Sequence, residues 1–375
     1  MARKRGSGEG SIYRRDDGVW VASVPLGRDD AGRRRRRVVY SASQAEAVEK
    51  LGALRTERMD GTLTEPSKLR LGEYLDRWLQ DHARMRVRPT TLGIYESLVR
   101  VHVKPHLGGV ALAKLAPAHV QGLLGSLERG GVSPRLRQMV RAMLSVALKQ
   151  AVRLEMIRRN PVAAVDRPRA PRPEIRPLDV AQCRQLLGTA KGDRLEALYV
   201  VAVTTGLRQG EILGLRWGDV DLGAAALHVR RTLTEENRTG QMVFAEPKTA
   251  KSRRRVELPG IAVACLAAHR AALGAAPHPD RLVFTDTEGN PIRKSNLLRR
   301  SFKPLLARAG LPQTTRFHDL RHSAATLLLA QGVHPKIVQE RLGHSTIALT
   351  LDTYSHVLKG LGAEAALKLD AILGA

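Results

Sequence analysis

Near the C-terminus, His318-Asp319-Leu320-Arg321-His322 is followed by Leu342-Gly343-His344 and then by Thr353-Tyr354-Ser355-His356. Upstream, Thr204-Thr205-Gly206-Leu207-Arg208-Gln209-Gly210-Glu211 adds a second arginine. Guanidiniums, imidazoles and one phenol suit attack on a phosphodiester. A phenolate is a competent nucleophile and a tolerable leaving group, so the energy of the broken bond is kept in a covalent intermediate. Because a phenol ordinarily ionises near pH ~10, cations or a base must stand beside it. The charge that develops on the phosphoryl oxygens calls for preorganised donors. Arginine serves well, since it stays charged and its planar fork grips two oxygens. The departing sugar oxygen needs a proton from a general acid.

Each residue has a plainer reading to set beside the chemical one. Arg208 follows the Gly206 break at the start of a helix containing Glu211, Ile212, Leu213 and Leu215, where its side chain can face a bound phosphate. The plainer reading is a surface arginine paired with Glu211. Glu211 itself is assigned to structure, orienting the arginine. Lys248 lies in Glu246-Pro247-Lys248-Thr249-Ala250-Lys251-Ser252 between two expected strands, and a hairpin loop can carry a lysine over a leaving oxygen. Lys251 is its rival, and either could be a simple phosphate contact.

His318 and Arg321 are three apart on an expected helix and share a face. His318 and His322 are four apart, a zinc spacing, but Asp319 stands where zinc proteases carry Glu and Arg321 would repel a cation. His322 is read as packed or hydrogen-bonded. Leu342-Gly343-His344 reads as a helix end, a tight glycine and a histidine that either caps or donates to a phosphoryl oxygen. Tyr354 is one of 6 tyrosines. Tyr13 and Tyr40 fall in a basic N-terminal sheet, Tyr74 and Tyr95 on helices and Tyr199 in an apolar run, so packing is the default for those. Tyr354 alone sits in a polar setting, ten residues past His344.

The elements that must position these groups fill 375 residues, too long for one core. A hydrophobic fraction of 43% is ordinary for globular protein. The net charge of +26 argues for a polyanionic partner, although a merely soluble basic protein would share it. Aromatics make up 3%, too few for the stacking platforms of single-strand binders, so duplex DNA or structured RNA is the better match. Cys183 and Cys265 match no metal or redox spacing and read as small buried side chains in a reducing cytosol. No signal peptide follows Met1, and the longest apolar run, Leu198 to Val203, is too short to span a bilayer.

Residues 10 to 60 read as three short strands and a helix. The strands are Ser11-Ile12-Tyr13, Val19 to Val24 and Arg33 to Tyr40, and Ser43 and Glu46 make a capping box for a helix through about Arg58. Arg33, Arg34, Arg35, Arg36 and Arg37 open the third strand, and such a sheet could lie in a major groove; the alternative is a solvated strand. Glycines at 6, 8 and 10 read as a flexible lead-in with no Walker motif behind them.

A break near Thr64-Glu65-Pro66 precedes expected helices at 71–83, 89–103, 117–129 and 134–156. In the last, Leu136, Met139, Val140, Met143, Leu144, Ala147, Ala151 and Leu154 form a core stripe. Arg135, Arg137, Arg141, Lys149 and Arg153 are left for phosphates or solvent. Prolines at 168, 171, 173 and 177 mark a semi-stiff connection. Beyond it, strands are expected at Leu227 to Leu233, Gln241 to Ala245 and Arg254 to Leu258 among helices.

The ordered set of motifs resembles the tyrosine recombinases, the phage-integrase family of DNA strand-exchange enzymes. Thr-Gly-Leu-Arg-Gln-Gly-Glu with Leu215-Arg216-Trp217 behind it is similar to the family's first arginine motif, and Pro247-Lys248-Thr249 to its lysine loop. The resemblance implies a multidomain, mainly α protein with small antiparallel β sheets. It comprises an arm-type DNA-binding domain (1–62) with a three-stranded sheet plus helix, a helical core-site-binding domain (66–165), a linker (166–177) and a mixed α+β catalytic domain (178–375). It further implies Arg208, Lys248, His318, Arg321, His344 and Tyr354 as catalytic residues, with no metal or nucleotide cofactor. The implied setting is double-stranded attachment-site DNA, a homotetramer on that DNA, and a cytoplasmic, nucleoid-associated location without a membrane. A directionality factor and a DNA-bending host protein are candidate partners. The tail after Tyr354, with Ala365, Ala366, Leu369, Ile372 and Leu373 at helical spacing, offers a face for a neighbouring subunit. A type IB-like topoisomerase and a DNA-binding regulator without catalysis stand as alternatives.

Overall fold

Turn residues and alternating apolar positions build the N-terminal sheet, in which β1 (Ser11–Arg14), β2 (Trp20–Arg28) and β3 (Arg34–Ser41) pair antiparallel in the order β1-β2-β3. The computed structural model describes residues 10–28, 32–59, 69–171, 176–236, 240–245, 253–348, 350, 351, 366, 367 and 370–374. The helix α1 (Gln44–Met59) covers one sheet face, burying Ala22, Val24, Ala47, Leu51 and Leu54. Ser43 Oγ accepts from the Glu46 N–H at 3.3 Å, and the Glu46 carboxylate accepts from the Ala42 N–H at 3.2 Å. β2 runs past the expected strand end, with a bulge between Pro25 and Gly27 that absorbs the missing proline N–H.

A second core belongs to helices. α2 (Leu71–Trp78) continues through a wide π-type turn, Leu79–Ala83, into α3 (Arg84–Arg86). α4 (Pro89–Leu98) passes likewise through Val99–Val103 into α5 (Lys104–Leu107). Pro105 explains the second widening: its ring would strike the carbonyl of Val101 in a regular helix, and it donates no hydrogen bond. α6 (Pro117–Arg129) and α7 (Pro134–Arg153) complete this layer. Val140, Met143, Leu144, Ala147 and Ala151 are buried as the stripe requires. Leu154, expected in that stripe, is instead 59% exposed, because the helix ends at Arg153 and Leu154 swings out as its C-cap.

Two of the basic side chains left over for phosphates are used internally. Arg137 is buried against Glu128 at 2.8 Å. Arg141 donates to the carbonyls of Val162 (3.2 Å) and Val165 (2.6 and 2.9 Å). These bonds, and Gln138 Nε2 to the Pro168 carbonyl at 2.6 Å, pin the start of the proline-rich segment to α7.

The chain forms two compact units, Met1–Pro171 and Arg172–Ala375, so the division falls within the proline-rich segment. In the second unit, α8 (Val180–Ala190), α9 (Glu196–Thr205) and α10 (Gln209–Leu213) precede the strands β4 (Val220–Asp221), β5 (Ala226–Val229), β6 (Thr232–Glu235), β7 (Met242–Ala245) and β8 (Arg254–Glu257). The expected strand at Leu227 to Leu233 is two strands in different sheets: β5 joins β4 and β8, and β6 pairs only with β7. The break is Arg230-Arg231, both of which turn to the buried carboxylate of Asp219.

Then come α11 (Gly260–Ala271), α12 (Lys294–Asn296), α13 (Lys303–Arg308), α14 (Phe317–Ala330) and α15 (Pro335–Leu342). Pro304 in α13 repeats the Pro105 pattern, following the wide turn Leu297–Phe302. Cys183 is buried and Cys265, expected to be buried too, is half-buried beside Glu196, its Sγ 3.7 Å from the carboxylate. Among the described residues no helix is long and apolar enough to cross a membrane.

Candidate active site

Two glycines in left-handed backbone conformation hold the second unit's arginines. α9 is one of its most apolar segments, buried from Ala197 to Val203, and must end where the chain turns back. Gly206 ends it with φ +66°, a conformation costly to residues bearing a Cβ. Its carbonyl accepts the Arg321 guanidinium at 2.8 Å. α15 ends in the same way at Gly343, φ +67°, whose carbonyl accepts from Arg208 at 3.2 Å. Each arginine is therefore tied to the turn that introduces another candidate: Arg321 to the turn before Arg208, and Arg208 to the turn before His344.

Arg208 is the N-cap of α10. Its N–H and guanidinium both donate to Glu211, at 2.9 and 2.8 Å. Glu211 is 5% exposed. Burial alone would raise its carboxyl pKa, but Arg254 and Arg208 together hold it below the usual value. The sequence reading of Glu211 as a structural residue matches this geometry.

On α14, Asp319 caps the first turn by accepting from the Arg316 N–H at 2.7 Å. His318 and Arg321 lie one turn apart, His318 exposed and Arg321 buried. The imidazoles of His318 and His322 meet edge to face, 5.0 Å between centroids. His344 is 8% exposed, and its Nδ1 pairs with the Thr350 hydroxyl at 2.8 Å. That pairing leaves Nε2 as the nitrogen for a phosphoryl oxygen.

All three imidazoles are shifted toward the neutral form. Burial, then Arg321, Arg208, His322 and Arg254, push His344 down to about 3. Burial and His318 push His322 down to about 4. His318 is lowered by loss of hydration and by Arg321, with Arg208 contributing. The fields of Arg208 and Arg321 thus fall on both His318 and His344, so four of the six expected catalytic residues stand together.

Lys248 and Tyr354 lie outside the described residues, as does Lys251. Tyr74 and Tyr199 are poor nucleophiles: burial pushes each phenol up to about 12, and each is hydrogen-bonded, to the Ala147 carbonyl and to Ser301 Oγ respectively. The arginines of β3 belong to the other unit. Strand alternation puts Arg34 and Arg36 on the sheet face away from α1, where Tyr13 and Tyr40 are exposed in register across Val21. Arg37 pairs with Val24 on the helix side, Arg33 precedes the strand, and Arg35 lies opposite Gly27.

Sequence reasoning missed Arg254 and Thr350. Arg254 shares a strand face with buried Val256, a period of two that would have marked it as inward-pointing. Thr350 carries no such signal.

The model of the Phage integrase family matches residues 176–360, and that of the Phage integrase N-terminal SAM-like domain matches residues 70–127. A tyrosine recombinase XerC-like protein of Caldanaerobacter subterraneus subsp. tengcongensis is 32% identical over 360 residues, 90% of this chain and 92% of that protein. The ICEBs1 integrase of Bacillus subtilis is 26% identical, spanning 97% of this chain and 100% of its own. Among solved structures, the Tn1549 transposon integrase in complex with a circular intermediate DNA has a TM-score of 0.69 at 23% identity, covering 80% of this chain and 99% of that one. A lambda integrase tetramer bound to a Holliday junction has a TM-score of 0.56 at 20% identity, covering 92% and 97%. At such identities these structures speak to the fold.

Proposed function

This chain belongs to the phage integrase family of tyrosine recombinases, and from that premise we propose how its residues divide the work of exchanging DNA strands at specific sites. The Tyr354 phenol oxygen attacks a backbone phosphorus. A 3′-phosphotyrosyl bond forms, the P–O5′ bond breaks, and the 5′ oxygen leaves as a hydroxyl after taking a proton from Lys248. Arg208, Arg321 and His344 stabilise the charge on the phosphoryl oxygens. His318, shifted toward its neutral form, takes the phenolic proton. A 5′-hydroxyl of the partner duplex then attacks the phosphotyrosine, joining new ends and releasing Tyr354. This chemistry requires neither metal nor nucleotide.

The observation that supports this reading is the cross-tie of Arg208 to the Gly343 carbonyl and Arg321 to the Gly206 carbonyl, with His344 directly after one turn and His318 one helical turn from Arg321. Double-stranded attachment-site DNA is the substrate, in keeping with the net charge of +26 and with the DNA complexes of the Tn1549 and lambda integrases. Four copies act together, as in the lambda assembly on a Holliday junction. Arg34 and Arg36 bind a separate arm sequence, a directionality factor and a DNA-bending protein set the direction, and the work is done on the nucleoid.

Replacing Tyr354 tests the chemistry. On a nicked suicide duplex, wild type accumulates a covalent protein–DNA adduct, and Tyr354→Phe forms none while shifting the same duplex in a gel at a similar concentration. Adduct from the variant would move the nucleophile elsewhere, and none from wild type would favour a regulator. Efficient relaxation of a supercoiled plasmid lacking the site would favour a topoisomerase.

A further inference from the structure

Arg254 is not among the expected catalytic residues, yet two of its nitrogens bond the Glu211 carboxylate and a third bonds a main-chain carbonyl. It sits on β8 with its side chain 7% exposed. Its Nη2 and Nη1 reach the Glu211 carboxylate at 2.9 and 3.3 Å, and its Nε donates to the Arg341 carbonyl at 2.7 Å. Arg341 is in the last turn of α15, two residues before Gly343, and its own guanidinium donates to the Thr204 carbonyl at 3.0 Å, just before Gly206. A Cβ added to Gly343 would lie 2.9 Å from Arg254, so the glycine turn is moulded around this guanidinium.

We propose that Arg254 is a positioning residue, clamping the Glu211 carboxylate to the end of α15 so that Arg208 and the turn bearing His344 keep one arrangement. The proposal rests on the reading of Arg208 and His344 as phosphate ligands. Arg208 is 40% exposed and is held by Glu211 and the Gly343 carbonyl. Arg254 bonds Glu211 directly and reaches the Gly343 turn through the Arg341 carbonyl two residues before it. A buried carboxylate left with a single cation draws that cation in. Without Arg254, Glu211 pulls the Arg208 guanidinium off the phosphate direction. The fork geometry matters as well: a lysine carries its three donors on one nitrogen and cannot span the Glu211 carboxylate and the Arg341 carbonyl as three guanidinium nitrogens do.

The test compares wild type with Arg254→Lys in full-length protein. The probe is a suicide duplex carrying the core site mapped from the repeats that flank the encoding element. Small displacements of a catalytic group cost on the order of tenfold to a hundredfold in rate. Arg254→Lys should therefore slow single-turnover cleavage by about 10- to 100-fold, with duplex affinity within about threefold of wild type.

A second duplex, with an uncharged methylphosphonate at the scissile position, identifies the cause. There the phosphoryl group no longer needs an aligned Arg208, and the difference between the proteins should shrink to about threefold. Cleavage by the lysine variant at the wild-type rate would overturn the proposal. So would a deficit of equal size on both duplexes, or one accompanied by a fall in melting temperature and lost affinity, since general damage does not distinguish the substrates. A wild-type protein that forms no adduct would instead overturn the wider reading of the site.

Discussion

Gly206 has no side chain to offer, but the buried arginine of the site leans on its carbonyl. A Cβ there would lie 2.6 Å from Leu342 Cδ2 and 3.3 Å from the Ala324 Cβ, in a backbone conformation that disfavours alanine. Gly206→Ala should cost at least ~1–2 kcal/mol from backbone strain alone. Because the same turn carries the Arg321 contact, cleavage should fall more than duplex affinity; denaturant titration, gel shift and suicide-substrate rates check this.

The imidazoles make a second prediction. His344 and His322 have folded pKa values of about 3 and about 4, below the ordinary 6.5, so the unfolded chain binds their protons first. Their contribution is fully present above pH 6.5 and is lost as pH falls toward the folded values. The carboxylates of Glu211 and Asp319, with ordinary values of 4.5 and 3.8, act only lower down. Melting temperature should therefore decline between pH 6.5 and 5 in wild type and decline less in His344→Asn.

Arg208, His318, Arg321 and His344 could be picked out as candidates because their types, order and spacing have few other uses. Arg254 was not: three consecutive arginines, Arg253 to Arg255, look alike until a strand face is assigned.

Helices end where the chemistry begins. α15 delivers both the Gly343 carbonyl and His344, and it is seated on α14 through a small separate core of Ala325, Leu329, Val338 and Leu342. That core supports the turn that carries Gly343 and His344. Removing a buried leucine's methyl groups typically costs ~2–5 kcal/mol. Leu329→Ala should lower stability within that range and slow cleavage, while affinity for duplex, spread over many contacts, changes little; calorimetry and single-turnover cleavage would decide.

At this scale the sequence pattern gave element identity well and element ends less well. The stripe of α7 held up to Ala151, but the pattern could not tell that Leu154 falls past the cap. Nor could the apolar run at 227–233 disclose that Asp219, distant along the chain, draws Arg230 and Arg231 aside and splits it between two sheets. A helix end decided the first case, and a tertiary partner overrode local propensity in the second.

Across the whole molecule, charge is distributed between binding and internal structure. The excess of +26 suggests a uniformly adhesive surface, but Arg137, Arg141 and Arg254 spend their hydrogen bonds inside the protein. The arginine run of β3 is likewise divided by the pleat. Arg34→Ala with Arg36→Ala should weaken arm-site binding and reduce the slope of log affinity against log salt by about 0.9 for each phosphate no longer neutralised. Arg37→Ala, on the helix side, should change that slope less, and cleavage of an isolated core site should be unaffected by either. Filter binding across a salt series reads the difference. The division near Pro171 falls in the segment that the prolines marked, whereas the anchoring of residues 165–168 by α7 left no mark, since side chain to carbonyl bonds leave no periodic trace.

That the guanidiniums of Arg208 and Arg321 are held by main-chain oxygens has an evolutionary corollary. Every amino acid carries the same carbonyl, so these two contacts ask only that the turns stay glycine, while the grip on Arg208 asks in addition for the side chains of Glu211 and Arg254. Relatives can then diversify the surfaces that choose a target sequence while inheriting the reacting centre intact.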